Sequence, residues 1–339
     1  MSGFRKVLVT GGAGFIGSAL IRHLILNTQY NVLCIDNLTY ASHPNALDAV
    51  KYEPRYRFLK SDINDLVTVS EAIQSFAPDI IFHLAAESHV DNSIAAPDTF
   101  IHSNILGTYN LLKAVQAYWQ GCVGQKKENF RFLYVGTDEV YGSNETNTPF
   151  SESRAFEPSS PYSASKASAA LLVNSWYVTY GLPSLIAHSA NNYGPYQHPE
   201  KLIAKVIKNA IEGKVIPIYG DGNQQRDWIF VDDHVNALCR LAENGVIGNT
   251  YNIASERLIS NIDLVRLLLK TLSKNNRCKT NINPSSLIHH VNDRLGHDKR
   301  YFISSDKLRK LCAWAPKVPL EDGLSRTIDW YLSEFDRND

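Results

Sequence analysis

The sequence predicts an α/β protein with a doubly wound parallel sheet in its first half and a smaller C-terminal lobe. Three observations predict this. Short, almost wholly apolar runs alternate with segments of helical period up to about residue 190, as consecutive βαβ units do. Those runs lack the in–out alternation of a half-exposed strand, so they suit strands covered on both faces. After about Asn191 the segments shorten and turn signals multiply: Asn-Tyr-Gly-Pro at 192–195, Tyr-Gly-Asp-Gly at 219–222, Asn-Pro at 283–284. The division predicted is 1–190 for the sheet domain and 191–339 for the lobe, with parts of the later chain returning to the sheet.

The first strand, Lys6–Thr10, runs into Gly11-Gly12-Ala13-Gly14-Phe15-Ile16-Gly17. Phe15, Ile16, Ala19, Leu20 and Leu24 then fall on one stripe of a helix. Glycines at 11, 14 and 17 allow a tight turn and close approach to a pyrophosphate, at which the helix aims its first N–H groups. The context of strand, glycines and helix is what a Rossmann-type dinucleotide site requires. A second strand, Asn31–Ile35, is followed by Asp36, 19 residues after Gly17. A carboxylate there accepts both ribose hydroxyls and repels a 2′-phosphate, which favours NAD over NADP. Tyr56–Lys60 is the third strand; Asp62 and Ile63 follow it, placed to meet an adenine. Leu66–Phe76 is a helix. Ile80–Leu84 is the fourth strand, and Leu84, Ala85 and Ala86 keep the backbone close to the dinucleotide. Ile105–Trp119 is a helix, Arg131–Val135 the fifth strand, and Pro161 starts a helix running to Tyr180. Ser184–Ser189 is a sixth strand.

Bulk properties exclude several classes. In 339 residues, 34 Lys and Arg balance 34 Asp and Glu, so no global field draws in nucleic acid or an anionic membrane. No apolar run is long enough to span a bilayer and no signal peptide is visible, which predicts a cytoplasmic protein. Cys34, Cys122, Cys239, Cys278 and Cys312 include no C-x-x-C and read as free thiols in a reducing compartment. No metal site is predicted.

Two groups of residues carry chemistry. Tyr162 and Lys166 lie four apart on a helix and so share a face. A cationic lysine there lowers the phenol pKa, making tyrosinate a base near neutral pH, and can also reach the nicotinamide ribose. Thr137-Asp138-Glu139 directly follows the fifth strand, where open α/β sheets bind ligands. Two carboxyl groups in different surroundings can divide into acid and base.

These residues, with Thr10–Gly17, His83–Ile94, Thr137–Gly142, Ser160–Lys166, Asn191–Leu202, Arg226–Trp228 and Asp293–Tyr301, resemble the dTDP-glucose 4,6-dehydratases of the extended short-chain dehydrogenase/reductase family. The likeness covers about residues 5 to 332. It implies NAD-dependent dehydration of a nucleoside-diphosphate hexose to the 4-keto-6-deoxy sugar. Tyr162 would take the 4-hydroxyl proton, Glu139 the C5 proton, protonated Asp138 would serve the departing 6-hydroxyl, and Thr137 would bond the 4-oxygen. Further cofactor positions implied are Phe15, Ile16, Asn37, Leu38, Thr39, Ser88, Ser103 and Asn192. For the substrate the resemblance implies Ser88, Thr137 and Asn191 near the sugar, Lys201, Leu202, Pro217, Ile218 and Tyr219 along base and ribose, Arg226 and Arg294 on the diphosphate, and Asn261 and His297 completing the pocket. Arginine's planar fork suits phosphate oxygens.

The chain departs from the common pattern at Gly136, where Ser or Thr is usual, at Asn37 and Asn92 in place of cations, and at Leu295 in place of proline. The loop from Gly142 to Phe150 is short, which predicts altered access to the site. A homodimer through Pro97–Trp119 and Pro161–Tyr180 is also implied. Competing readings are the same reaction on UDP-glucose or another sugar nucleotide, a 4-epimerase, which would not need the acid pair, and a non-catalytic NAD-binding protein.

Overall fold

The computed structural model describes residues 5–275 and 284–338; Cys278 and Asn283 of the predicted turn lie outside the described residues. The chain forms β1 (Lys6–Thr10), α1 (Phe15–Asn27), β2 (Asn31–Asp36), β3 (Tyr56–Lys60), α2 (Leu66–Phe76) and β4 (Ile80–His83). Short helices α3 (Val90–Ala95) and α4 (Pro97–Phe100) lead to α5 (Gly107–Gly121), α6 (Gly124–Asn129) and β5 (Arg131–Thr137). Next come α7 (Pro161–Tyr180), β6 (Ser184–Ser189), β7 (Asn191–Tyr193), α8 (Leu202–Ile211), β8 (Ile216–Tyr219), β9 (Gln225–Phe230), α9 (Val231–Asn244) and β10 (Thr250–Ile253). The remainder holds β11 (Leu258–Ser260), α10 (Asn261–Ser273), β12 (Ile288–Val291), α11 (Asp306–Cys312) and α12 (Leu320–Asn338).

Seven strands make one parallel sheet in the order β10-β6-β5-β4-β1-β2-β3. Order reverses at β1, with Leu8 opposite Leu33 of β2 on one side and Ile81 of β4 on the other. In such sheets the crevice beyond the carboxyl ends at that reversal takes the ligand. Alternation along β1 feeds both faces. Val7 and Val9 pack with Leu20 and Leu24 of α1 and Leu238 and Leu241 of α9. Leu8 packs with Val69 and Ile73 of α2, Leu111 and Val115 of α5, and Val173 of α7. Both faces are therefore dry, as the apolar runs require.

β10 extends the sheet's edge beyond β6, and α9 packs on α1. Elsewhere the second half has a core of its own, where Ile203 and Ile207 of α8, Leu264 and Leu268 of α10, and Leu324 and Ile328 of α12 pack together. Its strands form a three-stranded β11-β9-β7 sheet and a parallel β12-β8 pair.

Two local predictions change. The helix read from Ile105 begins instead with a π-helical turn over Ile101–Leu106, and α5 starts at Gly107. The wide turn brings Asn104 inside. Its amide donates to Glu87 O and Ser165 Oγ and accepts from Glu87 N, tying the segment after β4 to α7. The loop from Gly142 to Phe150 supplies no side chain to the cleft. It clasps the segment before α11 instead, through Asn144 N to Arg300 O and the Phe150–Ile303 bridge.

Candidate active site

The glycine turn after β1 is built for close approach. Gly11 has φ +70, and a Cβ on it would lie 2.5 Å from Ala85 N. A Cβ on Gly17 would lie 2.1 Å from Gly11 O. Only glycine fits either place. The N-cap of α1, Gly14, offers no side chain to the first helical N–H groups, which are left for an anion. Asp36 is buried at the end of β2; its Oδ2 accepts from Ala13 N and its Oδ1 from Leu38 N, at 2.9 and 2.8 Å. Each oxygen keeps a further acceptor site for a ribose hydroxyl. Asn37, a departure from the common pattern, donates to Asp62 Oδ2 at 3.2 Å.

The catalytic candidates come from two elements. β5 continues two residues past its predicted end and delivers Thr137, and one tight turn, Asp138–Tyr141, follows. α7 is held at its start by Ser160, which exchanges hydrogen bonds with Ser163 in a capping box. That places Tyr162 and Lys166 on its first two turns. Thr137 hydroxyl donates to Asp138 Oδ1 at 3.3 Å, while Asp138 Oδ2 is buried with no hydrogen-bond partner among the described residues. Burial first, and the Glu139 charge second, raise the Asp138 pKa well above the ordinary carboxyl range. Burial also raises Glu139, but Arg294, Arg226 and Lys201 pull it back. The neighbouring acids are thus driven apart, Asp138 toward the protonated form.

One expectation is corrected. Lys166 does not depress the Tyr162 phenol here. Burial, then Glu139, pushes the phenol up, against a smaller opposing effect of the Thr137 hydroxyl. Lys166 is itself brought down to about 7 by desolvation. Its ammonium donates to Val135 O at 2.8 Å and lies 4.5 Å over the Tyr134 ring.

At the other end of the cleft, Arg226 is buried, stacked 4.1 Å over the Tyr301 ring and hydrogen-bonded to Gln225 O and Asp298 O. Lys201 reaches across to Ser88 O at 2.7 Å. His297 pairs with Asp293 at 2.6 Å. Arg294 Nε and Asn261 Oδ1 are buried without partners among the described residues, so polar groups remain for a ligand. On the sheet side, Asn192 Oδ1 pairs with His234 Nδ1 at 2.8 Å, which requires the Nδ1–H tautomer.

The predicted site residues, from the glycine turn to His297, line one continuous cleft, with one exception. Leu38 takes a left-handed φ of 57 that turns its N–H onto Asp36, is 45% exposed and is absent from the cleft lining. The remaining departures have local causes. A Cβ at Gly136 would meet the His188 ring at 2.4 Å. Asn92 donates to Tyr40 hydroxyl, and Leu295 is exposed. Sequence reasoning gave no role to Asp91, Gln197, Glu200 and Tyr301, which also line the cleft. Tyr301 donates to Asp298 at 2.8 Å and lies 3.5 Å from Glu139. Each belongs to a segment that carried the resemblance, and that was the only available signal.

A family model described as GDP-mannose 4,6 dehydratase matches residues 8–327. The dTDP-glucose 4,6-dehydratase of Neisseria meningitidis serogroup B is 48% identical over 332 residues, covering 97% of this chain and 93% of that one. Escherichia coli K12 dTDP-glucose 4,6-dehydratase 1 is 47% identical over 341 residues, at the same coverage of both chains. The crystal structure of Streptomyces venezuelae dTDP-glucose 4,6-dehydratase, with NAD bound, superposes with a TM-score of 0.89 at 38% identity, covering 98% of each chain. UDP-glucose 4-epimerase from Thermotoga maritima shares the fold at 28% identity, TM-score 0.85, with 97% of this chain and 99% of that one covered. The chain belongs to the sugar-nucleotide 4,6-dehydratases of the extended short-chain dehydrogenase/reductase family, among the dTDP-glucose 4,6-dehydratases.

Proposed function

We propose that this protein converts dTDP-glucose to dTDP-4-keto-6-deoxyglucose with a tightly held NAD, as a hydro-lyase. The observation that carries the reading is the meeting of Tyr162, Lys166, Thr137 and the unlike acids Asp138 and Glu139 in the cleft that begins at the glycine turn. The relatives named above are dTDP-glucose 4,6-dehydratases, and the superposed one binds NAD.

The residues fit the cofactor. Gly11, Gly14 and Gly17 give its pyrophosphate room, α1 presents N–H groups to it, Asp36 takes the adenosine ribose, and Lys166 the nicotinamide ribose. When bound, NAD supplies the hydride acceptor for C4 and the donor for C6. Tyr162 would accept the 4-hydroxyl proton as C4 is oxidised, acting as tyrosinate once the positive charge of the oxidised nicotinamide offsets the burial and the Glu139 charge that raise its phenol. The new 4-ketone acidifies C5, and Glu139 takes the C5 proton. Asp138 gives its proton to the 6-hydroxyl, and water leaves. As C6 is reduced, Glu139 returns its proton to C5. One proton passed from the phenol to Asp138 resets both. Thr137 holds the 4-oxygen throughout. Arg226 and Arg294 hold the diphosphate, with Lys201, Leu202 and Pro217–Tyr219 along the nucleoside.

We further assign 1–190 with the returning α9 and β10 as the cofactor half, and the rest as the substrate lobe. A cytoplasmic enzyme fits the free thiols Cys34, Cys122, Cys239 and Cys312. Among the described residues no helix is long and apolar enough to cross a membrane. A homodimer is supported by exposed apolar side chains on the π turn, α5 and α7.

The test is incubation of the purified protein with dTDP-glucose and, separately, UDP-glucose, with mass spectrometry for loss of one water. Loss from dTDP-glucose is expected. Loss from UDP-glucose alone would change the nucleotide, and loss from no nucleotide hexose would end the dehydratase reading.

A further inference from the structure

The nucleotide end of the cleft contains a carboxylate that the reaction does not use. Asp91 stands on α3, the next helix after β4, and so belongs to the sheet half. Its Oδ2 accepts from the Tyr219 hydroxyl at 2.8 Å, and its Oδ1 lies 3.9 Å from Arg294 Nη1. Tyr219 ends β8. Arg294 follows β12 by three residues, and the two strands pair in parallel with Val291 opposite Tyr219. One side chain of the sheet half thus meets the end of β8 and the segment that follows its partner strand β12.

A carboxylate beside a diphosphate site repels the ligand. Its presence needs an offsetting gain, and ordering is the gain available. Tyr219 is 38% exposed, and without a partner its hydroxyl and the long Arg294 side chain would sample many rotamers. Asp91 fixes one by a hydrogen bond and the other by charge. It leaves Arg294 Nε, buried and without a partner, still able to donate. The same charge also favours the ammonium form of Lys201, against its burial.

We propose that Asp91 is a positioning residue for the nucleoside diphosphate: it sets the Tyr219 hydroxyl and the Arg294 guanidinium across the cleft mouth before the ligand enters. The inference rests on the reading of the substrate as a thymidine-diphosphate sugar. Preorganisation of this kind appears in ground-state binding and leaves the chemical step alone.

The experiment compares the NAD-loaded wild type with Asp91→Ala, Asp91→Asn, Tyr219→Phe and the Asp91→Ala/Tyr219→Phe double variant. Thymidine diphosphate affinity is measured by calorimetry, and KM and kcat with dTDP-glucose. Asp91→Ala is expected to weaken affinity and raise KM about tenfold with kcat within about twofold. Asp91→Asn still accepts from Tyr219 and is expected within about threefold of wild type. The double variant is expected to be no worse than Asp91→Ala, because both changes remove one contact. Asp91→Ser replaces the alanine variant if that chain does not accumulate. Unchanged affinity and KM in Asp91→Ala, a fall in kcat as large as that in kcat/KM, or additive effects in the double variant would each overturn the proposal. Wild type that binds no thymidine diphosphate and releases no water would overturn the substrate reading and this inference with it.

Discussion

Asp138 and Glu139 are neighbours in the chain, yet their surroundings differ. Arg226 reaches both, but Glu139 also has Arg294 and Lys201 to favour its charge, while Asp138 has a buried oxygen with no partner among the described residues and a like charge beside it. In the proposed mechanism, proton donation falls to Asp138 and proton abstraction to Glu139. Glu139→Gln keeps the shape and removes the base. It is expected to lower water loss by about 10²–10⁴-fold while leaving C4 oxidation possible. The near-ultraviolet absorbance of reduced nicotinamide should then persist after dTDP-glucose is added, with no mass loss. Full turnover in that variant would remove Glu139 from its role. The identity of these side chains was legible in the sequence. Their ionisation was not, and neither was the upward push on Tyr162, because both depend on burial and on charges from distant segments.

At the scale of elements, the turn between β1 and α1 does the most with the fewest side chains. Gly17 sits on the first turn of α1 against Gly11 O, so the helix can lie with its N-terminus at the turn. Gly17→Ala would force a methyl group 2.1 Å from that oxygen and must shift the backbone. A loss of about 1–3 kcal/mol is expected, read from urea unfolding, together with poorer retention of NAD on dilution. Wild-type stability and retention would show that the turn relaxes freely. The π turn before α5 carries the opposite lesson. Apolar periodicity predicts a helix there, but it does not reveal the extra residue per turn that turns Asn104 inward to link Glu87 and Ser165. Gly136 is similar, since its lack of a side chain is understood only with the His188 ring beside it.

The whole molecule joins the glycine-turn end of the cleft on the sheet to the Arg226 and Arg294 end on the lobe through contacts such as Lys201 to Ser88 O. Its outer face bears Ile101, Leu106 and Tyr109 beside the α5 segment and Leu171 and Val178 on α7, between 38% and 71% exposed. Covering them in a two-fold helix pairing would be favourable. Light scattering is expected to give a dimer, and Leu171→Asp with Val178→Asp a monomer; a monomeric wild type would discard the interface. Stability at acid pH is a second global property. His83, His188 and His234 are fully buried, and burial brings each pKa down to about 3. Unfolded, each titrates near 6.5. The unfolded chain therefore binds more protons, so stability is retained above about pH 6.5 and lost as pH falls from there toward 3. Each histidine contributes up to about 1.4 kcal/mol per pH unit in that window. Unfolding midpoints in urea should fall steeply between those limits, and a flat profile would mean that these imidazoles are not held neutral.

Local pattern by itself determined the βαβ order, the glycine turn with Asp36, the pair Tyr162 and Lys166 and the acids after β5, because strand burial, tight turns and helical spacing are written over a few consecutive residues. Tertiary structure alone decided that β10 extends the sheet's edge, that Leu38 is left out of the cleft lining, that Asp91 meets Tyr219 and Arg294, and which of two adjacent acids is driven further toward its protonated form. Those outcomes depend on residues scores of positions apart brought within a few ångströms, where desolvation and charge act through space and no sequence spacing records them.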